Sequence, residues 1–297
     1  MSSFSVDLVL DRVSKRTVTY LGNVFAPLNA FSTDFSNEEY TQGQNVRFQV
    51  ANAGPTVQTN PTNWESGTWG LTNVNILVNQ YSASMSLTPR QLNNEFRLDQ
   101  AIDVGIQAIA NKFMDVAFTP LTTTNFQNLT LTLANLTQAN LASTLQQAWA
   151  ITAKGQTKSA VLDATSYSKM LPASLTTEFG PRAGLAGFDN FYLNTRWTGA
   201  GANIYAAAVT PGAVALLTGL PEAVPSMFGE AIQQQVISVP LGGRGTINQG
   251  ALSTPTVQLL QTTWMSTATR TMWISYDWMQ GAAAIGDNSA AVVIKHT

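Results

Sequence analysis

Cysteine is absent from this 297-residue chain, and histidine occurs only once. The lack of thiols excludes disulfide bonds, thiol catalysis, and zinc or iron–sulfur sites that depend on cysteine. The single histidine, His296, is the penultimate residue. Chain ends fray, whereas a catalytic base needs a fixed hydrogen-bonding partner. Serine–histidine and cysteine–histidine nucleophiles are therefore nearly excluded, and nothing in the sequence indicates an enzyme or a cofactor.

Charged residues are also scarce. Asp, Glu, Lys and Arg make up 11% of the chain, with 15 basic against 17 acidic residues, whereas an ordinary soluble domain carries about 25%. Charged side chains normally cover a water-facing surface, because burying them unpaired is costly. So few charges favour a surface that is covered by other copies of the same chain. The net charge of −2 also argues against nucleic-acid binding through bulk positive charge.

Long hydrophobic runs are missing as well. The longest apolar stretch, 204–220, is interrupted at residues 210–212, and it falls short of the roughly 18–20 apolar residues that a membrane helix needs. Asp7 and Asp11 break the apolar stretch near the N-terminus, so no secretion signal is expected. We therefore expect a protein that is made and used in a cytoplasm and has no membrane partner.

The first 40 residues open with apolar residues at every second position: Phe4, Val6, Leu8 and Leu10. This alternation is typical of extended chain rather than of a helix. A largely polar stretch follows it. The pattern predicts that residues 1–40 form an extended N-terminal arm lying along another surface.

A long hairpin is predicted next. Three segments alternate apolar and polar residues, which predicts strands: 46–50, 74–78 and 83–87. The connection Ala53–Gly70 is rich in Gly, Pro, Asn and Thr and carries Trp64 and Trp69. A connection of this length is unusual inside a compact domain and often serves a function. We interpret 41–92 as a long two-stranded flap with an aromatic tip; an ordinary surface hairpin is the alternative.

A long helix is predicted from Asn94, which can cap it, to about Phe118, just before Pro120. Its apolar stripe recurs at steps of three and four residues: Leu98, Ile102, Ile106, Ile109, Phe113 and Val116. At about 1.5 Å per residue the helix would span roughly 35 Å. Gly105 lies at its middle, where glycine costs about 1 kcal/mol relative to alanine. Close packing against a neighbour explains this glycine, and a hinge between two assembly states is the alternative.

Three carboxylates share one face of this helix, because Glu95, Asp99 and Asp103 are spaced by four residues. A divalent-metal site is disfavoured, since no histidine or further acid lies nearby in the sequence. We interpret the three residues as a plain acidic face, with contact by Arg or Lys of another subunit as the alternative.

The remaining patterns predict a mixed α+β fold. Helices are predicted at 136–152, 165–171 and 212–218, the last beginning after Pro211. Strands are predicted at 159–162, 188–197, 203–209, 233–239, 257–265, 271–279 and 290–295. The Gly-Gly-Arg-Gly loop around Arg244 lacks the Lys-Ser/Thr of a phosphate-binding loop. Core packing explains Trp264, Trp273 and Trp278 better than a sugar-binding platform does.

In this order the elements resemble a known family, the major capsid proteins of tailed double-stranded-DNA bacteriophages. The local sequence pattern resembles that family in three stretches: Gly184–Asp189, Ala207–Leu217, and Tyr276–Gly281 with the strand that follows. The resemblance spans essentially the whole chain and implies the α+β Hong Kong 97 fold. The flap would then be the family's E-loop, and the helix at about 94–118 its spine helix.

The resemblance also implies a division of the chain. Residues 1–40 would be the N-terminal arm and 41–92 the E-loop hairpin. Residues 93–135 and 253–297 would form a peripheral domain with the spine helix and a β-sheet, and 136–252 an α/β axial domain.

The function that this resemblance implies is structural. Copies would assemble as hexamers and pentamers into an icosahedral head shell, formed in the host cytoplasm and present in the virion. The shell would enclose double-stranded DNA without sequence-specific contact, with a separate scaffolding protein and a portal as partners during assembly. A tail-tube or adhesin-like structural protein is the alternative, and a carbohydrate-active enzyme ranks third because no acid–base pair supports it.

Candidate interface residues follow from these interpretations. Those at a subunit contact are expected to be Trp64, Trp69, Glu95, Asp99, Asp103 and Arg244. Gly105 is the candidate hinge.

The resemblance also yields a test. Some family members cross-link covalently through a flap lysine and an asparagine of the adjacent subunit, but here no lysine lies between Lys15 and Lys112. Without that nucleophile we predict no isopeptide bond. Intact shells boiled in detergent should migrate as monomer on a denaturing gel, and a persistent covalent ladder would contradict the prediction.

Overall fold

The computed structural model describes residues 6–34, 42–53, 59, 70–92, 94–151, 158–170, 188, 190–194, 204–222, 233–240, 256–266, 269–285 and 290–295. The α-helices in these ranges are α1 Val6–Val24, α2 Pro89–Leu92, α3 Glu95–Phe118, α4 Gln138–Ile151 and α5 Ala164–Met170. Short 3₁₀ helices cover Ala26–Ala30 and Leu133–Asn135.

The strands fall into three sheets. The first seven are β1 Ser32–Asp34, β2 Asn45–Ala53, β3 Gly70–Leu77, β4 Asn79–Leu87, β5 Gln127–Thr130, β6 Ser159–Leu162 and β7 Asn190–Leu193. The other six are β8 Ile204–Val209, β9 Val214–Gly219, β10 Gln233–Pro240, β11 Thr256–Ser266, β12 Thr271–Ala284 and β13 Ala291–Lys295.

Helix α1 corrects the prediction of an extended N-terminal arm, which is wrong for residues 6–24. The four-residue spacing of Val9, Val13, Thr17 and Leu21 places all four on one helix face, and all four are buried. The period-two pattern is confined to the first ten residues. The four-residue pattern continues further along the chain, and burying its side chains against the sheet favours a helix.

Helix α3 confirms the predicted long helix. The Asn94 side chain accepts a hydrogen bond from the Arg97 amide at 3.1 Å, which caps the first turn. Five of the six predicted stripe residues are fully buried, and Val116 is half-buried. The helix ends before Pro120, as predicted. The apolar stripe therefore packs on the core while the opposite face stays in water.

A six-stranded sheet forms the larger part of the fold, and β12 is its central strand. The strand order is β1-β9-β12-β11-β10, and β4 pairs with the other edge of β12. Residues 271–277 of β12 pair with β11, and residues 279–284 pair with β9. Residues 272–280 pair with β4 on the opposite edge. Helices α1 and α3 pack on one face of this sheet and share its hydrophobic core.

Strand β9 corrects the predicted helix at 212–218, which is wrong. All six residues of Val214–Gly219 are buried. They form strand β9, which pairs parallel to β1 and antiparallel to β12. Pro211 and Gly212 form a turn instead, with Gly212 at φ 85°, a left-handed conformation that favours glycine. A short apolar run buried on both sides is a strand, because its backbone is satisfied by neighbours on each edge.

A second sheet has the order β5-β13-β8-β6-β7, and one of its faces forms a hydrophobic core with α4 and α5. Its other face joins the core of the first sheet. The turn at 210–213 carries the chain from β8 in this sheet to β9 in the first. In addition, β10 pairs with β11 in the first sheet, whereas β13 belongs to the second. Each sheet therefore contains strands from both of the residue ranges that were predicted to form the peripheral and axial domains. That division of the chain stays a prediction.

The three tryptophans of β11 and β12 divide between the two faces of the first sheet. Trp278 is buried in the core at 1% exposure, as predicted. Trp264 and Trp273 are half-buried outside the core clusters and stack on each other, with centroids 6.0 Å apart and planes 7° apart. Their prediction as core residues is wrong, because alternation along β11 and β12 directs them away from α1 and α3.

Gln280 ties β12 to α3, and replacing it tests this connection. Its Nε2 donates to the Phe113 carbonyl at 2.9 Å, and its Oε1 accepts from the Trp278 indole at 3.2 Å. Gln280→Leu would leave both buried partners unsatisfied, so we expect a loss of about 2–4 kcal/mol in the free energy of unfolding. Urea titration should show this loss, whereas Gln146→Leu on the exposed face of α4 should change little. Equal effects of the two variants would contradict the prediction.

Candidate functional site

The predicted interface residues are only partly described. Trp64, Trp69 and Arg244 lie outside the described residues, as does the side chain of Glu95. Asp99 and Asp103 are described, and both lie on the face of α3 that borders α1.

Both carboxylates pair with arginines of the same chain. Arg12 donates through Nε and Nη2 to the two oxygens of Asp99, at 3.0 and 2.9 Å. Arg16 binds Asp103 in the same two-pronged manner at 2.6 and 2.7 Å. Its Nη1 also lies 3.2 Å from Asp99 Oδ2. The four side chains form a ladder between two helices, which we call the α1–α3 clasp.

The pairing within the clasp shows that the two helices run in the same direction. Arg12 pairs with Asp99 and Arg16 with Asp103, each 87 residues further along the chain. Because both helices advance together, α1 and α3 run parallel. The Phe25 ring also packs on Phe113, with centroids 4.4 Å apart. Parallel helix dipoles repel one another weakly, and the clasp offsets this repulsion with bidentate charged hydrogen bonds.

The electrostatics of the clasp follow from the same contacts. The hydrogen bond from Arg16 lowers the pKa of the Asp103 carboxyl below its ordinary value, since it stabilises the ionised form. The Asp103 hydrogen bond in turn raises the pKa of the Arg16 guanidinium. With their oxygens occupied by guanidinium groups, Asp99 and Asp103 are poorly available to a metal ion.

Sequence reasoning considered an arginine partner only in another subunit, and the structure places it in α1. The signal that was missed is the matching four-residue spacing of Arg12 and Arg16, which only a helical α1 brings to one face. Lys15 pairs instead with Asp11 at 2.7 Å on the solvent side of the helix. Contact of Asp99 and Asp103 with another subunit stays a prediction.

Gly105 packs tightly against β4. A methyl group placed on it would meet the Cε of Met85, and the Met85 sulfur would lie 3.0 Å away. Close packing therefore accounts for this glycine, although the obstructing atoms are the far end of a flexible side chain. The role of Gly105 as a hinge stays a prediction.

An exposed apolar surface on α3 was missed by sequence reasoning. Phe96 is 71% exposed and Val104 is 70% exposed, although both are large apolar residues. Arg90 and Arg97 line a groove of about 630 Å³ that also includes Val104. Phe96 lies outside this groove, about two helical turns before Val104. We call the four exposed residues Phe96, Val104, Arg90 and Arg97 the α3 outer patch. Its signal in the sequence is the position of Phe96 and Val104 off the apolar stripe.

Strands β2 and β3 pair as a two-stranded ribbon, which confirms the predicted strands 46–50 and 74–78. The third predicted strand, 83–87, lies in β4 and pairs with β12 in the six-stranded sheet. From here on the flap means the β2–β3 ribbon. Within the described residues neither strand pairs with a third. One face of the ribbon carries Val46, Phe48, Val74 and Ile76 and packs at its base on the six-stranded sheet. Leu71 and Leu77 are 56% and 49% exposed. Two-stranded ribbons are marginally stable alone, and open strand edges readily pair with other chains.

Comparison with solved structures identifies the fold. The chain is similar to the virus-like particle from Pyrococcus furiosus, with 11% identity, TM-score 0.57, and coverage of 97% of this chain and 98% of that chain. It is also similar to a chain of Gordonia phage Cozz (12% identity, TM-score 0.53, coverage 93% and 87%). A third similar structure is the capsid of a native gene transfer agent particle (14%, 0.52, 92% and 90%). No family model and no curated protein matches the sequence.

At these identities the likeness establishes the fold. The chain has the mixed helix-and-sheet fold of phage capsid proteins and related particle-forming proteins. The resemblance inferred from the sequence is therefore confirmed at the level of the fold. In the described residues no helix is both long and apolar enough to cross a membrane.

The clasp generates a prediction about acid stability. The pKa of Asp103 is lower in the folded state than the ordinary carboxyl value of 3.8. Its contribution to the free energy of unfolding is therefore complete above that value and is lost as the pH falls through the folded-state pKa. Because Arg16 and Asp103 are 38% and 41% exposed, Asp103→Asn should cost less than about 1 kcal/mol near neutral pH.

Urea unfolding of the native protein and Asp103→Asn, measured from neutral pH down into the acid range, checks this prediction. The stability difference between the two proteins should shrink as the pH falls below the ordinary carboxyl range. Asp11→Asn serves as the control, because Asp11 is 57% exposed and pairs with a lysine on its own helix. A difference that is independent of pH would contradict the assignment.

Proposed function

We propose that this protein is the structural subunit of a phage-type capsid, and that its copies assemble as hexamers and pentamers into a closed icosahedral shell around double-stranded DNA. The observation that carries the proposal is the capsid fold, which spans 97% of the chain in the virus-like particle comparison. The protein then acts as a building element without enzymatic activity, in the virion after assembly in the host cytoplasm. Scaffolding and portal proteins would be separate partners.

The elements take the roles of a Hong Kong 97-type subunit under this proposal. The β2–β3 ribbon is the E-loop and α3 is the spine helix. The six-stranded sheet with α3 provides the peripheral domain, and the five-stranded sheet with α4 and α5 provides most of the axial domain. The packing of α4 and α5 on one face of the five-stranded sheet supports this assignment. The opposite face of that sheet, with Val161, Ala207 and Val293, joins the core of the six-stranded sheet.

Two described surfaces support assembly between copies. Among the described strands, those of the flap pair with no third strand, and Leu71 and Leu77 are exposed. The α3 outer patch presents Phe96 and Val104. Exposed apolar groups beside arginines are typical of protein interfaces, which favour aromatic residues and Arg over Lys and Glu. The flap of one copy covering the α3 outer patch of the next would remove both apolar surfaces from water.

The low charge of the chain supports the same proposal. With charged residues at 11% of the sequence, much of the surface can be buried against neighbours without desolvating ions. The acidic balance is also compatible with a container whose wall need not hold DNA phosphates tightly. Modest contacts repeated over a closed shell give a stable particle.

Negative-stain electron microscopy with a patch variant tests the proposal. The native protein should form closed shells, whereas Phe96→Asp should give capsomers or smaller oligomers, because a carboxylate at a buried contact is costly to desolvate. Gln146→Asp on the exposed face of α4, outside the patch, is the matched control and should still form shells. Tubes would favour the tail-tube alternative, and native protein that stays monomeric at high concentration would contradict the proposal.

A further inference from the structure

We propose that Gly281 is a positioning residue for the flap: its missing side chain sets the direction in which the flap leaves the body, and thereby the angle at which neighbouring copies meet. The second half of this statement rests on the proposed shell function. The first half concerns the single chain and is tested separately.

The flap joins the body through a narrow base. On one side the chain enters β2 through Gly43, which has φ 78° and no atom within 4 Å of the position of an added methyl group. On the other side Val78 links β3 to β4 and is fully buried. The Gly43 amide donates to the Val78 carbonyl at 2.9 Å, and the Val78 amide donates to the Gln44 carbonyl at 3.0 Å. These two bonds close the base of the ribbon, and the burial of Val78 against the six-stranded sheet makes this residue the fixed end.

Beyond Val78 the apolar face of the ribbon lies on the six-stranded sheet. The residues beneath it are the buried Ala215, Leu217 and Met279, together with Gly281 and the half-buried Ala283. We call these five residues the flap seat. Three of the five, Ala215, Gly281 and Ala283, have a methyl group or no side chain, and at Gly281 the ribbon lies directly against the sheet.

At Gly281 the flap backbone occupies the place of a side chain. A methyl group on this residue would lie 2.6 Å from the Leu77 carbonyl oxygen and 2.8 Å from Ile76 Cγ2. Ordinary contacts between heavy atoms are about 3.5–4.0 Å, so the ribbon would have to retreat by about 1 Å. The obstructing atom is backbone, unlike the flexible Met85 side chain over Gly105, so no rotamer change can relieve the clash.

The displacement of the ribbon grows with distance from its fixed end at Val78. Leu77 is one residue from Val78 and Asn73 is five residues from it. A strand rises about 3.3 Å per residue, so a stiff ribbon converts 1 Å at Leu77 into roughly 5 Å at Asn73. A tilt of this size would change where the flap meets a neighbouring copy.

Double electron–electron resonance, which measures the distance between two spin labels, tests the first half of the proposal. The native chain has no cysteine, so Asn73→Cys on the flap and Gln107→Cys on α3 give one pair of spin labels at two exposed positions. In unassembled full-length protein, Gly281→Ala should shift the mean label distance by several ångströms. Gly22→Ala is the matched control, because its methyl group would lie 3.7 Å from the Pro240 carbonyl, an ordinary contact. An unchanged distance in Gly281→Ala would overturn the proposal.

A second variant decides the matter if Gly281→Ala does not fold. Ile76→Ala removes the Cγ2 atom that rests on Gly281 and so loosens the seat from the flap side. It should broaden the label distance distribution, and an unchanged distribution would overturn the proposal.

Electron microscopy of assembled particles tests the second half. Gly281→Ala should change the particle diameter or shape, whereas Gly22→Ala should not. Particles of native geometry, assembled from Gly281→Ala subunits whose flap has moved, would overturn the link to assembly. If the native protein forms no particles, the proposed function fails, while the distance measurement still decides the role of Gly281.

Discussion

The fold depends on strand β12, which has paired neighbours along nearly the whole of one edge and along residues 272–280 of the other. It pairs with β4 on one edge and with β11 and then β9 on the other. Gln280 joins it to the carbonyl of Phe113 in α3, and the next residue, Gly281, supports the base of the flap. The long helix, the flap and the N-terminal segment through β1 and β9 are therefore all positioned relative to this one strand.

The two faces of the sheet that β12 organises differ in chemistry. One face holds α1 and α3, whose arginines and aspartates form the α1–α3 clasp. The other face receives the flap base at Gly281, and along β4 and β12 it continues as hydroxyl-bearing residues such as Ser84 and Ser275 with the carboxylate of Asp277. Several of the chain's few charges are thus paired within the subunit. This arrangement leaves weakly charged surfaces available for contact with other copies.

How far the sequence predicts the structure depends on whether the signal is local. Helix α3 was predicted because its cap at Asn94 and its stripe from Leu98 to Phe113 lie within one segment. Helix α1 and strand β9 were missed because tertiary burial decided between competing local patterns. The clasp joins residues 87 positions apart, and the role of Gly281 depends on the backbone that lies over it. Such features become visible only when distant segments are brought together.

The capsid fold, the apolar α3 outer patch and the edge-exposed flap converge on one physical account: this chain completes its surface by contact with other copies of itself. Sedimentation velocity of the purified native protein across a concentration series tests that account most directly. The account predicts a fast-sedimenting, narrow species with the mass of a closed shell, in equilibrium with capsomers and with little monomer. A single slow boundary at the monomer mass over the whole series would contradict it.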